Sequence, residues 1–141
     1  MVGMGRIGKA IARRLDAFGV PVVYHSRRAQ PDLGYRHYPD LVGMAREVDT
    51  LMVIVPGGAE TRNLINAEVL RALGPNGILI NIARGSVVDE PALIKALQDR
   101  TIYAAGPTYS PTNRPCPTSS SRWSTSSCYR MSPPPRSTRA S

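Results

Sequence analysis

The last 35 residues of this 141-residue chain, 107–141, contain no Leu, Ile, Val, Asp, Glu or His. Residues 1–106 contain no cysteine; Cys116 and Cys128 both lie in the final segment, with no histidine near them. Nothing in that pattern suggests a disulfide framework or a zinc site. No apolar run approaches the roughly 18 residues of a membrane span, and no signal peptide opens the chain. A soluble, cytoplasmic protein with no membrane partner is therefore expected. Acidic residues are scarce only at the end. The formal charge of +8 includes five arginines in 107–141, whereas residues 1–106 hold 13 basic against 10 acidic side chains. The tail's aromatics, Tyr109, Trp123 and Tyr129, are scattered outside any binding motif, so no nucleic-acid partner is expected.

Residues 1–106 read as one domain, and 107–141 as a tail. Ten Ser, seven Pro, five Thr and five Arg make up most of the tail. Such a composition cannot bury enough apolar surface to offset the entropy of ordering it, and disorder is expected.

What is present ahead of the tail is regular patterning, which ends at Gly106. "RIGKAIARRLDAFG" places Ile7, Ala10, Ile11, Ala12, Leu15 and Phe18 at helical spacing, with Gly19 as a stop signal. Apolar or β-branched runs at Val20–His25, Asp49–Val55, Gly77–Asn81 and Ile102–Ala105 read as strands. Helices are expected at 40–48, Ala67–Leu73 and Glu90–Asp99. Strands without polar alternation are buried on both faces, as in a parallel sheet covered by helices. The fold class is α/β, a doubly wound, Rossmann-type parallel sheet. "MVGM" reads as the end of its first strand, which is therefore expected to be incomplete, since strands usually have about 5–6 residues.

Gly3-Met4-Gly5-Arg6-Ile7-Gly8 is G-x-G-x-x-G between a strand and a helix. The first glycine permits the tight turn, the second the approach of a pyrophosphate, and the third close helix–strand packing. The helix start at Arg6 and Ile7 adds N–H donors and a positive dipole end. Dinucleotide binding is the expectation, with an ordinary glycine-rich turn as the alternative. An NAD site usually carries an acid roughly 20 residues on, for the ribose 2′-OH. Here the next strand ends His25-Ser26-Arg27-Arg28, without an acid. Ser26 can donate to a 2′-phosphate, and Arg27 and Arg28 can bind one through charge-assisted hydrogen bonds. NADP(H) is favoured over NAD(H); two solvated surface arginines are the alternative. His25 and His37 are read as structural, the first at a strand end and the second in a polar loop.

With Pro56-Gly57-Gly58, Thr61 and "NIARGSVVDE" (81–90) added, residues 1–106 resemble the nucleotide-binding domain of the D-isomer-specific 2-hydroxyacid dehydrogenases. "YHSRR" and "VPGGAETRNLI" look most like the glyoxylate/hydroxypyruvate reductase branch. The resemblance implies that Arg84 is catalytic, holding the substrate carboxylate and polarising the carbonyl that receives hydride. A guanidinium suits that role, being permanently charged and able to bind carboxylates through two parallel hydrogen bonds; capping the following turn is the alternative. Val55, Pro56 and Gly57, with Thr61, would line the adenosine and ribose side. Ile82, Ala83 and Arg84 would flank the nicotinamide. Asp89 and Glu90 read as caps of the next helix. The resemblance further implies a small 2-oxo or 2-hydroxy acid as substrate, and a homodimer in the parent enzyme.

It also implies a histidine proton donor and a glutamate that raises its pKa, in segments resembling "LLPH" and "DVFxxEP" after Gly106. Neither is written in the tail. Read one base early, with TCN codons for the serines, Ser126–Met131 must begin with apolar residues, because every codon with a central T encodes one. Val-Val-Leu-Leu-Pro-His is permitted there, and Val-Leu-Ala-Asp-Glu-Pro over Thr108–Arg114. The expectation is a tail translated out of frame. The functional reading is an NAD(P)-dependent oxidoreductase of the D-2-hydroxyacid dehydrogenase type, reducing glyoxylate or hydroxypyruvate, with this fragment binding the dinucleotide at most. A non-catalytic NAD(P)-binding module is the alternative.

Overall fold

The computed structural model describes residues 1–106 and the backbone of Tyr129–Arg130. The remainder of the segment read as a disordered, out-of-frame tail lies outside the described residues. The elements are α1 (Arg6–Ala17), β1 (Val23–His25), β2 (Arg36–Tyr38), α2 (Leu41–Arg46), β3 (Thr50–Val53), α3 (Ala67–Leu73), β4 (Ile78–Asn81), α4 (Glu90–Gln98), β5 (Ala104–Gly106) and β6 (Tyr129–Arg130).

β1 pairs with β2, β3 with β4, and β4 with β5, all parallel, while β6 adds antiparallel to β5. Between β1 and β3 runs the first tripeptide of the chain. Val2 forms single parallel bridges to His25 and Val53. Its N–H donates to Met52 at 2.7 Å and its carbonyl accepts from Ile54 at 2.8 Å. On the other side the Gly3 N–H donates to His25, and the His25 N–H to Met1, each at 2.9 Å. Val2 thus holds the central place in the 3-2-1-4-5-6 strand order of doubly wound dinucleotide-binding folds, as a bridge and not a full ladder.

Side chains alternate across β3 because successive residues of a strand point to opposite faces. Leu51 and Val53 join the larger core with Leu41, Met44, Leu70 and Leu97 from α2, α3 and α4. Met52 and Ile54 pack instead against Met4, Ala12 and Tyr24, on the face covered by α1. Helices therefore cover both faces. Three of them begin at side-chain caps: Asp40 accepts from Val42 and Gly43, Asn66 from Glu68 and Val69, and Asp89 from Ala92. α1 ends as the stop signal predicts. Gly19 takes φ +72°, and the Gly19 and Val20 amides return to Asp16 and Leu15 at 2.8 and 3.0 Å, the hydrogen-bond pair of a Schellman cap.

Three expectations are corrected. His37 lies in β2, not in a loop; Arg36-His37-Tyr38 carries no apolar run because it is an edge strand, where polar and charged residues are favoured. The strand expected from Val20 starts only at Val23; Val20 and Pro21 are exposed, and proline has no N–H for a ladder. Ile7 and Phe18, at helical spacing with the buried residues, are 64% and 84% exposed, one in the first turn and the other at the C-cap. Among the described residues, no helix is long and apolar enough to cross a membrane.

Candidate functional site

The three glycines of the first turn are required for three different reasons. Gly3 sits at φ +97°, and a Cβ there would meet Val55 Cγ1 at 3.0 Å and the Val55 nitrogen at 3.1 Å. Both conformation and space demand glycine. A Cβ on Gly8 would fall 2.6 Å from the Gly3 carbonyl oxygen, so the helix can approach the turn only without a side chain. Gly5 is different. It is the N-cap of α1, with ordinary extended dihedrals, and nothing lies within 4 Å of where its Cβ would be. The fold leaves open the space that a side chain would fill.

That space lies at the start of α1. The first N–H groups of any helix lack intrahelical acceptors and carry the positive end of its dipole. Unlike the starts of α2, α3 and α4, this one has no side-chain cap, and its first turn carries no acid; Arg6 and Ile7 are exposed there. The arrangement favours an anion. Gln30 braces the turn, donating from Nε2 to the Met4 carbonyl at 3.0 Å, while its own N–H donates to the Tyr24 hydroxyl at 2.7 Å.

Two further loops leave the carboxyl edge of the sheet next to this turn. Val55, Pro56 and Gly57 follow β3, with Val55 against Gly3 as described. Thr61 closes the loop on itself, its hydroxyl donating to the Pro56 carbonyl at 2.7 Å. The second loop follows β4. Gly57 and Arg84 are in contact: a Cβ at Gly57 would lie 2.6 Å from Arg84 Cγ. The Ile82 N–H donates to the Val53 carbonyl at 2.9 Å, and Ile82 remains 46% exposed. The Arg84 side chain is exposed and has no carboxylate within ion-pair distance among the described residues. Gly3, Val55, Gly57 and Arg84 therefore form one continuous edge.

Asn81 is a residue that sequence reasoning missed. It is the buried polar side chain at the end of β4. Its Oδ1 accepts from the Ala83 N–H at 3.0 Å and its Nδ2 donates to the Arg84 carbonyl at 3.2 Å. These two bonds fix the backbone that carries Ile82, Ala83 and Arg84. An asparagine directly after an apolar strand and before an Ala-Arg-Gly turn was the available signal.

The loop after β1 carries Ser26, Arg27 and Arg28. The Ser26 hydroxyl donates to the Arg28 carbonyl at 2.6 Å, so its proton is engaged within the loop. Arg27 reaches across to Glu60 at 2.8 Å, and Arg28 is exposed. Both histidines face carbonyls, which can only accept: His25 Nδ1 donates to Tyr38 and His37 Nε2 to Ser26, each at 2.9 Å. Both serve the structure of the β1–β2 edge. No group of three or more potential metal ligands occurs among the described residues.

Residues 1–129 match the family described as D-isomer specific 2-hydroxyacid dehydrogenase, NAD binding domain. The chain belongs to this family. Among its relatives is glyoxylate/hydroxypyruvate reductase A of Arabidopsis thaliana, 48% identical over 105 residues, which cover 74% of this chain and 34% of that protein. A solved NADPH-dependent glyoxylate/hydroxypyruvate reductase from Sinorhizobium meliloti, in complex with NADP and malonate, superposes with a TM-score of 0.76 at 55% identity, over 82% of this chain and 38% of that one. The NAD complexed form of the D-isomer specific 2-hydroxyacid dehydrogenase from Lactobacillus delbrueckii has a TM-score of 0.69 at 36% identity, over 74% and 33%. The chain thus spans about a third of the length of the curated relatives it matches. Family membership agrees with the doubly wound fold and the oxidoreductase lineage that the glycine turn and the Asn81–Glu90 stretch point to.

Proposed function

We propose that this chain is the dinucleotide-binding portion of a glyoxylate/hydroxypyruvate reductase and that it selects NADPH. The observation that carries the reading is the uncapped start of α1 beside the open face of Gly5, bordered on one side by Arg27 and on the other by Arg84. A pyrophosphate on the α1 amides would send its adenosine ribose towards Ser26, Arg27 and Arg28. A 2′-phosphate there meets two guanidinium groups and no acid on its own loop. The Ser26 proton is already given to Arg28, so the arginines carry the selection. The solved relative in complex with NADP is consistent with this preference. Val55, Pro56, Gly57 and Thr61 would line the ribose side, and Ile82 and Ala83 would flank the nicotinamide. Ile82, half exposed, offers an apolar face to its ring.

The reduced nicotinamide, when bound, supplies a hydride. This chain's contribution to the chemistry is Arg84. Its guanidinium can hold a 2-oxo carboxylate through two parallel hydrogen bonds and draw electron density from the adjacent carbonyl. Reduction also needs a proton on the carbonyl oxygen. Both histidines hold a backbone carbonyl at the β1–β2 edge through one ring nitrogen, and neither lies on the loops that carry Gly57 and Arg84. Residues 107–141 contain no His or Glu, and we read them as an out-of-frame continuation. The chain alone therefore binds dinucleotide without turnover.

Fluorescence titration with NADPH and with NADH tests the reading. Tighter binding of NADPH supports it, and equal or tighter binding of NADH defeats it. With glyoxylate or hydroxypyruvate added, the absorbance of bound NADPH is expected to stay constant; steady oxidation would show that a proton donor has been overlooked.

A further inference from the structure

We propose that Glu60 is a specificity-determining residue that competes with the 2′-phosphate for Arg27, weakening NADPH binding while leaving NADH binding unaided. This rests on the assignment of Arg27 to the adenosine ribose. Arg27 and Glu60 are 33 residues apart in sequence and leave the sheet on different loops, one after β1 and one after β3. Their side chains nevertheless meet at 2.8 Å. β1 and β3 flank the central Val2, so the pair spans the crevice above the glycine turn, on the side where the ribose would lie.

The pair is not a structural necessity. Both side chains stand in solvent, 86% and 78% exposed, and an ion pair in that setting contributes little to stability. It is therefore easily broken, and a phosphate monoester carrying nearly two negative charges displaces a carboxylate from a guanidinium. Displacement does not remove Glu60. Its loop is held by the Thr61 hydroxyl on Pro56 and by the Thr61 N–H on Gly58, at 2.7 and 3.2 Å. The freed carboxylate stays well within the Debye length, about 8 Å at physiological ionic strength, of the phosphate that replaced it. Both effects oppose the phosphate. A ribose 2′-OH feels neither.

Glu60→Gln removes the charge and keeps the size. In the whole chain at low ionic strength, the Kd for NADPH is expected to fall about two- to five-fold, the range corresponding to an exposed ion pair. The gain should shrink as salt is added, and NADH should not bind more tightly. Arg27→Gln, measured beside it, should weaken NADPH and spare NADH. If Arg27→Gln behaves so while Glu60→Gln leaves NADPH unchanged, the competition is refuted and the cofactor assignment stands. Equal tightening of NADPH and NADH also refutes it, because Glu60 would then act on the shared pyrophosphate. If Arg27→Gln leaves NADPH binding intact, the assignment itself fails, and the competition with it.

Discussion

Replacing Gly8 and Gly5 by alanine, one at a time, separates what the fold needs from what a ligand needs. At Gly8 the new methyl would stand 2.6 Å from the Gly3 oxygen, against an ordinary contact of at least 3.4 Å. The obstacle is backbone, and Gly3 is held in the sheet by its bond to His25, so α1 must move out by most of an ångström. Overpacking of this kind costs about 1–3 kcal/mol, and alanine returns up to about 1 kcal/mol through helix propensity. A net loss of roughly 1–2 kcal/mol should lower the Tm by about 5–15 °C for a domain of this size. At Gly5 the methyl enters empty space with dihedrals alanine can adopt. Only the N-cap preference of glycine over alanine is lost, about 0.5–1 kcal/mol. The same methyl occupies the room a pyrophosphate would use, and affinity for NADPH should drop by about tenfold or more, some 1.4 kcal/mol or above. Thermal melts followed by circular dichroism, paired with NADPH fluorescence titration, read both quantities. A Gly5→Ala protein that melts as low as Gly8→Ala, or that binds NADPH as well as the parent, refutes the division of roles.

Other outcomes follow from single contacts. Asn81→Ala removes both bonds to the Ala83–Arg84 backbone and should cost about 1–3 kcal/mol in urea unfolding, whereas Asn81→Asp, which keeps only the acceptor, should also lower the affinity for any ligand seated on Ile82. Sequencing the DNA across the Gly106 codon is expected to reveal a one-base slip; an upstream frame running unbroken to Ser141 would contradict the out-of-frame reading.

Much of the geometry of the candidate site was legible because its signals are local. Gly3, Gly5 and Gly8 announce themselves by spacing, and Asp89 by its place before an apolar helix. What escaped is non-local or shared with ordinary structure. Arg36-His37-Tyr38 has no periodicity to display, since an edge strand of three residues buries only Tyr38. The Arg27–Glu60 contact joins two loops that the chain visits far apart, and no pattern in either stretch names the other. Ser26 was read for what its hydroxyl could reach; its proton goes instead to a carbonyl two residues on. The phase of α1 placed Ile7 and Phe18 on the buried stripe, but the sheet beneath the helix is shorter than the stripe.

The tripeptide Met1-Val2-Gly3 has a consequence for how ligand and fold depend on each other. It is the seam along which two half-sheets are stitched, β1–β2 on one side and β3–β5 on the other, by five hydrogen bonds. Gly3 is both the last stitch and the first residue of the glycine turn proposed to hold the pyrophosphate. A dinucleotide gripping that turn would act as a rivet through the seam, and its binding energy would appear as resistance of the two halves to parting, rising with the logarithm of its concentration.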